Sequence, residues 1–210
     1  MRPWTFGLWH LRRGPATALM VVSMVGIVWA FPEVVIGVSI DPALRPRGIG
    51  APELSSVALA GALPALTVPC FDRRELLGGV TARAMHTAYS VAVLVLPLLV
   101  FPIWVLRVHQ VQPEAELPPV WGLAQTSAVV ACLGWIACLL LGRPWGVFVP
   151  LATFAGLAAG QHLYPDSPLT WWFATGRNWH TAWWAWAGAL ATAVVVIWWT
   201  RSIPRPDRKR

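Results

Sequence analysis

The chain of 210 residues is short of charge, of lysine and of cysteine. Only 12% of it is charged while 57% is hydrophobic, a balance that argues against a water-soluble globule. Lys209 is the only lysine among sixteen basic residues. A phosphate-cradling G-x-x-x-x-G-K-[ST] loop needs a lysine after a glycine. Lys209 follows none, so the chain is not its own P-loop ATPase. The three cysteines, Cys70, Cys132 and Cys138, fall within or at the edge of apolar segments. That argues against a disulfide scaffold or a cysteine zinc site and makes buried thiols the expectation.

Catalytic patterns are also missing. No Ser/His/Asp ordering, no paired carboxylates and no Cys/His set with ligand spacing occurs, so neither a catalytic residue nor a metal or other cofactor is expected. An isoelectric point near 10.6 would suggest nucleic acid in a soluble protein. Here the arginines flank apolar runs, where they orient a chain and meet anionic lipid headgroups. Membrane lipid is therefore an expected partner, and nucleic acid is not.

What the chain does have is apolar length. Runs near 16–38, 54–71, 84–107, 119–141, 145–163 and 182–200 approach the roughly 20 residues that span a bilayer, and in lipid such runs must be helical. The expectation is an all-α polytopic membrane protein, a single transmembrane domain over 1–210 with about six transmembrane helices. Residues 16–38 have no small-residue cleavage site after them and are read as an uncleaved first helix. Pro97 and Pro102 predict a kink in the third span. With both termini cytoplasmic, twelve basic residues fall inside and only Arg45, Arg47, Arg107 and Arg177 outside, as the positive-inside rule requires. The localisation read from this is multi-pass in the inner (plasma) membrane. Tryptophans fit interfacial belts: Trp104, Trp121, Trp171, Trp172, Trp179, Trp183, Trp184 and Trp186 outside, Trp4, Trp9, Trp145, Trp198 and Trp199 inside. Trp29 and Trp135 lie deeper.

The stretch FDRRELLGGVTARAMH, Phe71 to His86, interrupts this pattern with Asp72, Arg73, Arg74, Glu75 and Arg83. Arginines there satisfy topology alone, but Asp72 and Glu75 do not contribute to it. DRRELL has the composition of a short helix that Gly78-Gly79 ends. Arg83 in the first turn of the third span is poorly placed for a cation unless an acidic group such as Glu75 is near. A short helix with both signs of charge suits docking onto another protein.

The chain resembles the permease subunits of ABC exporters of the six-helix, antibiotic- and polysaccharide-export kind, in particular the small permeases of peptide-antibiotic clusters in high-GC bacteria. In that family an amphipathic segment precedes the first span, a coupling helix joins spans two and three, and a partly membrane-dipping hairpin joins spans five and six. MRPWTFGLWHLRR (within an interfacial segment 1–14), FDRRELLGGVTARAMH (with a coupling loop at 72–83) and HLYPDSPLTWWFATGRNWHTAWW (an external or re-entrant hairpin at 162–183) correspond to the three. The resemblance implies transport of a peptide, antibiotic or lipid-like substrate, antibiotic resistance as a physiological role, a separate ATP-binding subunit, and a second permease subunit in a homo- or heterodimer. It implies that Asp72, Arg73, Arg74, Glu75 and Arg83 couple the chain to that ATPase.

Other residues carry two readings each. Glu33 stands either inside the first span, facing a substrate path, or at the headgroups after a span ending at Pro32. Gly156-x-x-x-Gly160 serves either packing within the chain or association with a second chain. His109, His162 and His180 with Asp166 form either an outer metal cluster or, as preferred, interfacial histidines. Two further function classes stand beside the permease: a small membrane enzyme using Asp166, Arg177 and His180 on the outer face, and a non-catalytic accessory subunit of a larger complex.

Overall fold

A computed structural model of the chain describes residues 4–39, 42, 47–67, 93–114, 117, 120–164 and 182–202. These are mostly helical. Helix α1 runs Trp4–Ala30, α2 Ala51–Thr67, α3 Val100–Val111, α4 Val120–Leu141, α5 Arg143–Leu163 and α6 Ala182–Ser202. A short antiparallel hairpin, β1 Val35–Val38 and β2 Arg47–Gly50, lies between α1 and α2.

The hairpin corrects the first expected span, which was drawn through to residue 38. Pro32 cannot donate to a helical ladder and disfavours helical geometry at Phe31, so α1 stops at Ala30. The β-branched run that follows suits a pleated strand better than a helix. Register pairs Val35 with Gly50 and Val38 with Arg47. The Ala51 amide donates to the Val34 carbonyl at 3.0 Å, which turns the chain directly into α2. Pro52 occupies the first turn of α2, where its missing N–H is no loss, and Glu53 there complements the helix dipole. At the start α1 is also longer than the expected span: residues 4–14 continue into it without a break, with Pro15 inside the helix.

The kink expected in the third span appears as a 3-10 turn, Leu96–Leu99, ahead of α3. A neighbouring helix supports it, since the Ser56 hydroxyl donates to the Pro97 carbonyl at 3.0 Å. Between α4 and α5 the turn hinges on Gly142, whose φ of 106° is open to glycine and strained for other residues.

Helices α2, α4 and α5 pack most closely. Pro64 has no N–H for the Ala60 carbonyl, and Pro150 none for the Gly146 carbonyl, so each frees one acceptor inside its helix. Both acceptors face Gly134. A Cβ there would stand 2.9 Å from the Ala60 oxygen, 3.2 Å from the Gly146 oxygen and 2.7 Å from Pro150 Cγ. Gly146 meets Cys138 in the same way, and the Cys138 thiol donates to the Pro64 carbonyl at 3.6 Å. Contacts of 60 with 134 and 64 with 138 make α2 and α4 parallel, while 134 with 150 and 138 with 146 make α5 antiparallel to them. The bundle thus has a hairpin end, where α2 and α4 begin, and a turn end at Gly142.

The main core joins Val28 of α1, Leu59 and Leu63 of α2, Val100 and Trp104 of α3, Cys132 and Trp135 of α4, and Val194 of α6. The outside is apolar as well: Leu19, Val22, Leu106, Phe148, Leu151 and Val196 are all exposed. Among the described residues, Val93–Val111 and Gly122–Leu141 are long and apolar enough to cross a membrane.

Candidate functional site

A set of polar groups lies buried inside this bundle. Glu53, Ser55 and Ser56 on α2, Gln125, Thr126 and Ser127 on α4, and His162 on α5 are buried. The α2–α4 register sets Glu53 level with Ser127. All seven belong to the hairpin end, because α2 and α4 start there and α5 finishes there. Burying an acid, an amide and an imidazole requires hydrogen-bonded or charged partners. Glu53, Gln125 and His162 each make at least one hydrogen-bond, electrostatic or ring contact. Thr126 returns its hydroxyl to the Gly122 carbonyl at 3.1 Å and Thr67 does likewise to Leu63, a local bond that lets threonine lie inside an apolar helix. This polar layer is the candidate site: a carboxylate, a carboxamide, an imidazole and hydroxyls, able to bind a polar or cationic group or to exchange protons.

A second polar structure borders it, where α1 and α3 end side by side. The Trp104 indole N–H donates to the Pro32 carbonyl at 2.9 Å. Arg107 Nε donates to the Trp29 carbonyl at 3.1 Å, and its guanidinium lies 5.1 Å from the Trp29 ring centroid, within cation–π range. Gln112 Nε2 donates to Glu33 Oε1 at 2.8 Å. These contacts bind the helix ends to the turn that launches the hairpin. Glu33 itself is exposed in that turn, beyond the last residue of α1. Trp104 is buried, with its N–H spent on backbone.

Asp72, Arg73, Arg74, Glu75 and Arg83 lie outside the described residues, as do the coupling loop at 72–83, Asp166, Arg177, His180 and most of 162–183. His109 is exposed and His162 buried. Among the described residues no three potential ligands gather into a metal site. Cys132 and Cys138 are buried thiols. Gly156 and Gly160 have open space where a Cβ would go, so the close helix approach falls at Gly134 and Gly146 instead.

Sequence reasoning passed over Glu53, because the second span was started at residue 54, and it gave no weight to Gln125-Thr126-Ser127. The readable signal was a polar triplet within an apolar run, together with an acid two residues into APELSS.

No family model, curated protein or solved structure matches the chain.

Proposed function

We propose that the chain is a multi-pass membrane protein with six spans and cytoplasmic termini, acting as the permease subunit of an ABC-type transporter that exports a peptide, antibiotic or lipid-like substrate. The observation that carries the membrane reading is the inverted polarity of the bundle. Leu19, Val22, Phe148 and Val196 face outward while Glu53, Gln125 and His162 are buried. In water the exposed aliphatic surface would be unfavourable at about 25 cal/mol per Å², and in lipid it is not. Parallel α1 and α3, parallel α2 and α4, and antiparallel α5 follow the alternation that consecutive spans need.

For the permease role, the support is the sequence resemblance, the missing P-loop and the polar layer. ATP-driven closure of a partner ATPase would press on residues 72–83, between α2 and α3. The Gly134 crossing locks α2 to α4 and α5, so movement at one end of α2 would carry to the polar layer at the other. Copurification tests this reading. An ATPase should accompany the chain from native membranes, and Glu75→Ala or Arg73→Glu should uncouple hydrolysis from transport with insertion intact. Loss of one member of a desolvated charged contact costs about 2–5 kcal/mol, so the effect should be large. If no ATPase accompanies the wild-type chain, the permease reading falls.

The buried Glu53 and His162 also favour a second reading, a small membrane enzyme with its site toward the outer face. Activity lost in Glu53→Gln in a preparation that contains no ATPase would select it.

A further inference from the structure

We infer that the β1–β2 hairpin is an interfacial element, seated in the headgroup boundary of the outer leaflet with phospholipid as its partner. This rests on the membrane reading above and adds a depth and an occupant for a segment that reading leaves unassigned. Val34, Val35 and Ile36 are consecutive large apolar residues, exposed by 46%, 62% and 51%. Neighbouring residues of a strand point to opposite faces, so apolar groups are bare on both sides of β1. Ile49 of β2 packs into the bundle and anchors the hairpin, but β1 keeps its apolar side chains bare, and a two-stranded hairpin so exposed is marginal in water.

The patch is also continuous with the helical exterior. It follows exposed Ile27, Trp29 and Phe31 at the end of α1, whose outward face is apolar from Leu19 onward. The same lipid that covers α1 would extend over the hairpin base.

Two features fix the depth. Two strands leave unpaired N–H and C=O groups along both edges, and such edges cannot enter hydrocarbon. Beside the hairpin base sit Arg107 on Trp29 and Gln112 on Glu33, groups that belong at the level of water and headgroups. Apolar side chains with polar edges are both satisfied about 5–10 Å into the headgroup and acyl boundary, the depth at which amphipathic segments rest.

The experiment uses the full chain with its three cysteines changed to alanine, reconstituted in phosphatidylcholine vesicles with some phosphatidylglycerol. Single cysteines at Val35, Ile36, Leu19 and Phe148 carry an environment-sensitive fluorophore. Lipids bearing a nitroxide near the headgroup, or deep in the chain, act as quenchers, and iodide reports water. The expected result is that Val35 and Ile36 are quenched at least about twofold more by the shallow nitroxide than by the deep one, while Leu19 shows the reverse. Quenching of Val35 and Ile36 by iodide alone, with Leu19 and Phe148 quenched by lipid, would overturn the hairpin proposal and leave the membrane reading standing. Protection from both quenchers would also overturn it, in favour of a protein covering the hairpin. Leu19 and Phe148 open to iodide would sink the membrane reading itself, and the hairpin proposal with it.

Discussion

The two ends of the α2–α4–α5 unit are held together in opposite ways. Toward the turn end, backbones press against each other through Gly61, Gly134 and Gly146, with proline-freed carbonyls facing a glycine that has no side chain to keep them off. Toward the hairpin end, the buried residues include Glu53, Ser56, Gln125, Ser127 and His162, with the Ser56 hydroxyl reaching the Pro97 carbonyl ahead of α3. Small-residue contacts fix one geometry, because any added atom must displace backbone. Polar side chains can exchange partners and tolerate more than one arrangement. The closed crossing suits a rigid pivot, and the polar layer suits a place where a bound group or a proton changes the packing.

The sharpest way to break this contrast is at the pivot. Gly134→Val should destabilise the bundle most, by at least about 3 kcal/mol, since overpacking a filled core commonly costs about 1–3 kcal/mol and here two backbone oxygens and a proline ring are in the way. Unfolding in mixed micelles of rising denaturing-detergent content measures it. A wild-type midpoint would show that the three helices are not in contact at this point.

At the polar end the expected loss is smaller. Glu53→Ala strips a buried group from its partners and leaves them unsatisfied, for about 1–3 kcal/mol in the same assay. Glu53→Gln retains the shape and most of the bonding, and should recover much of that. If the two variants behave alike, Glu53 is not engaged through its oxygens. Trp104→Phe removes one N–H from the Pro32 carbonyl and should cost about 1 kcal/mol, with the hairpin loosened before the rest. Hydrogen exchange at the Ala51 amide would report that order, as its bond to Val34 closes the hairpin.

Much of the helical pattern could be read from sequence, and the reasons for the misses are local. The run from 119 to 141 is uninterrupted and apolar, and α4 at Val120–Leu141 matches it within a residue. The first run looked equally continuous, yet Pro32 divides it, and hydropathy cannot separate a helix end from a β-branched strand that is just as apolar. The buried polar layer was obscured for another reason. Its members come from three helices far apart in the chain, and only the α2–α4 register brings Glu53 level with Ser127. Gly134 was passed over because one glycine in an apolar run signals nothing until a proline ring and two backbone carbonyls from other helices are known to face it. Gly156-x-x-x-Gly160 had the sequence spacing for close approach but has open space beside it.

Those two glycines give the smallest expected effect, and they test which surfaces are filled. Gly156→Ala and Gly160→Ala add a methyl where nothing lies within 4 Å. No clash results, and alanine is the better helix former by up to about 1 kcal/mol at exposed positions. The monomer should therefore keep its stability or gain slightly, in contrast to Gly134. Leucine at the same positions should also leave the isolated chain folded, since its side chain would extend into the space beside Ala152 and Ala155, which are exposed. The proposed second permease subunit would make the outcome depend on assembly. If α5 meets that subunit along this face, the leucine variants stay folded but lose the dimer, as seen by crosslinking in native membranes or by the mass of the purified complex. If dimer and monomer are both unaffected, the face is covered by lipid and the subunit contact lies elsewhere. Unfolding of the isolated chain by Gly156→Ala would contradict the open space beside α5, and with it the contrast between the closed crossing at Gly134 and the uncovered glycines one helix face away.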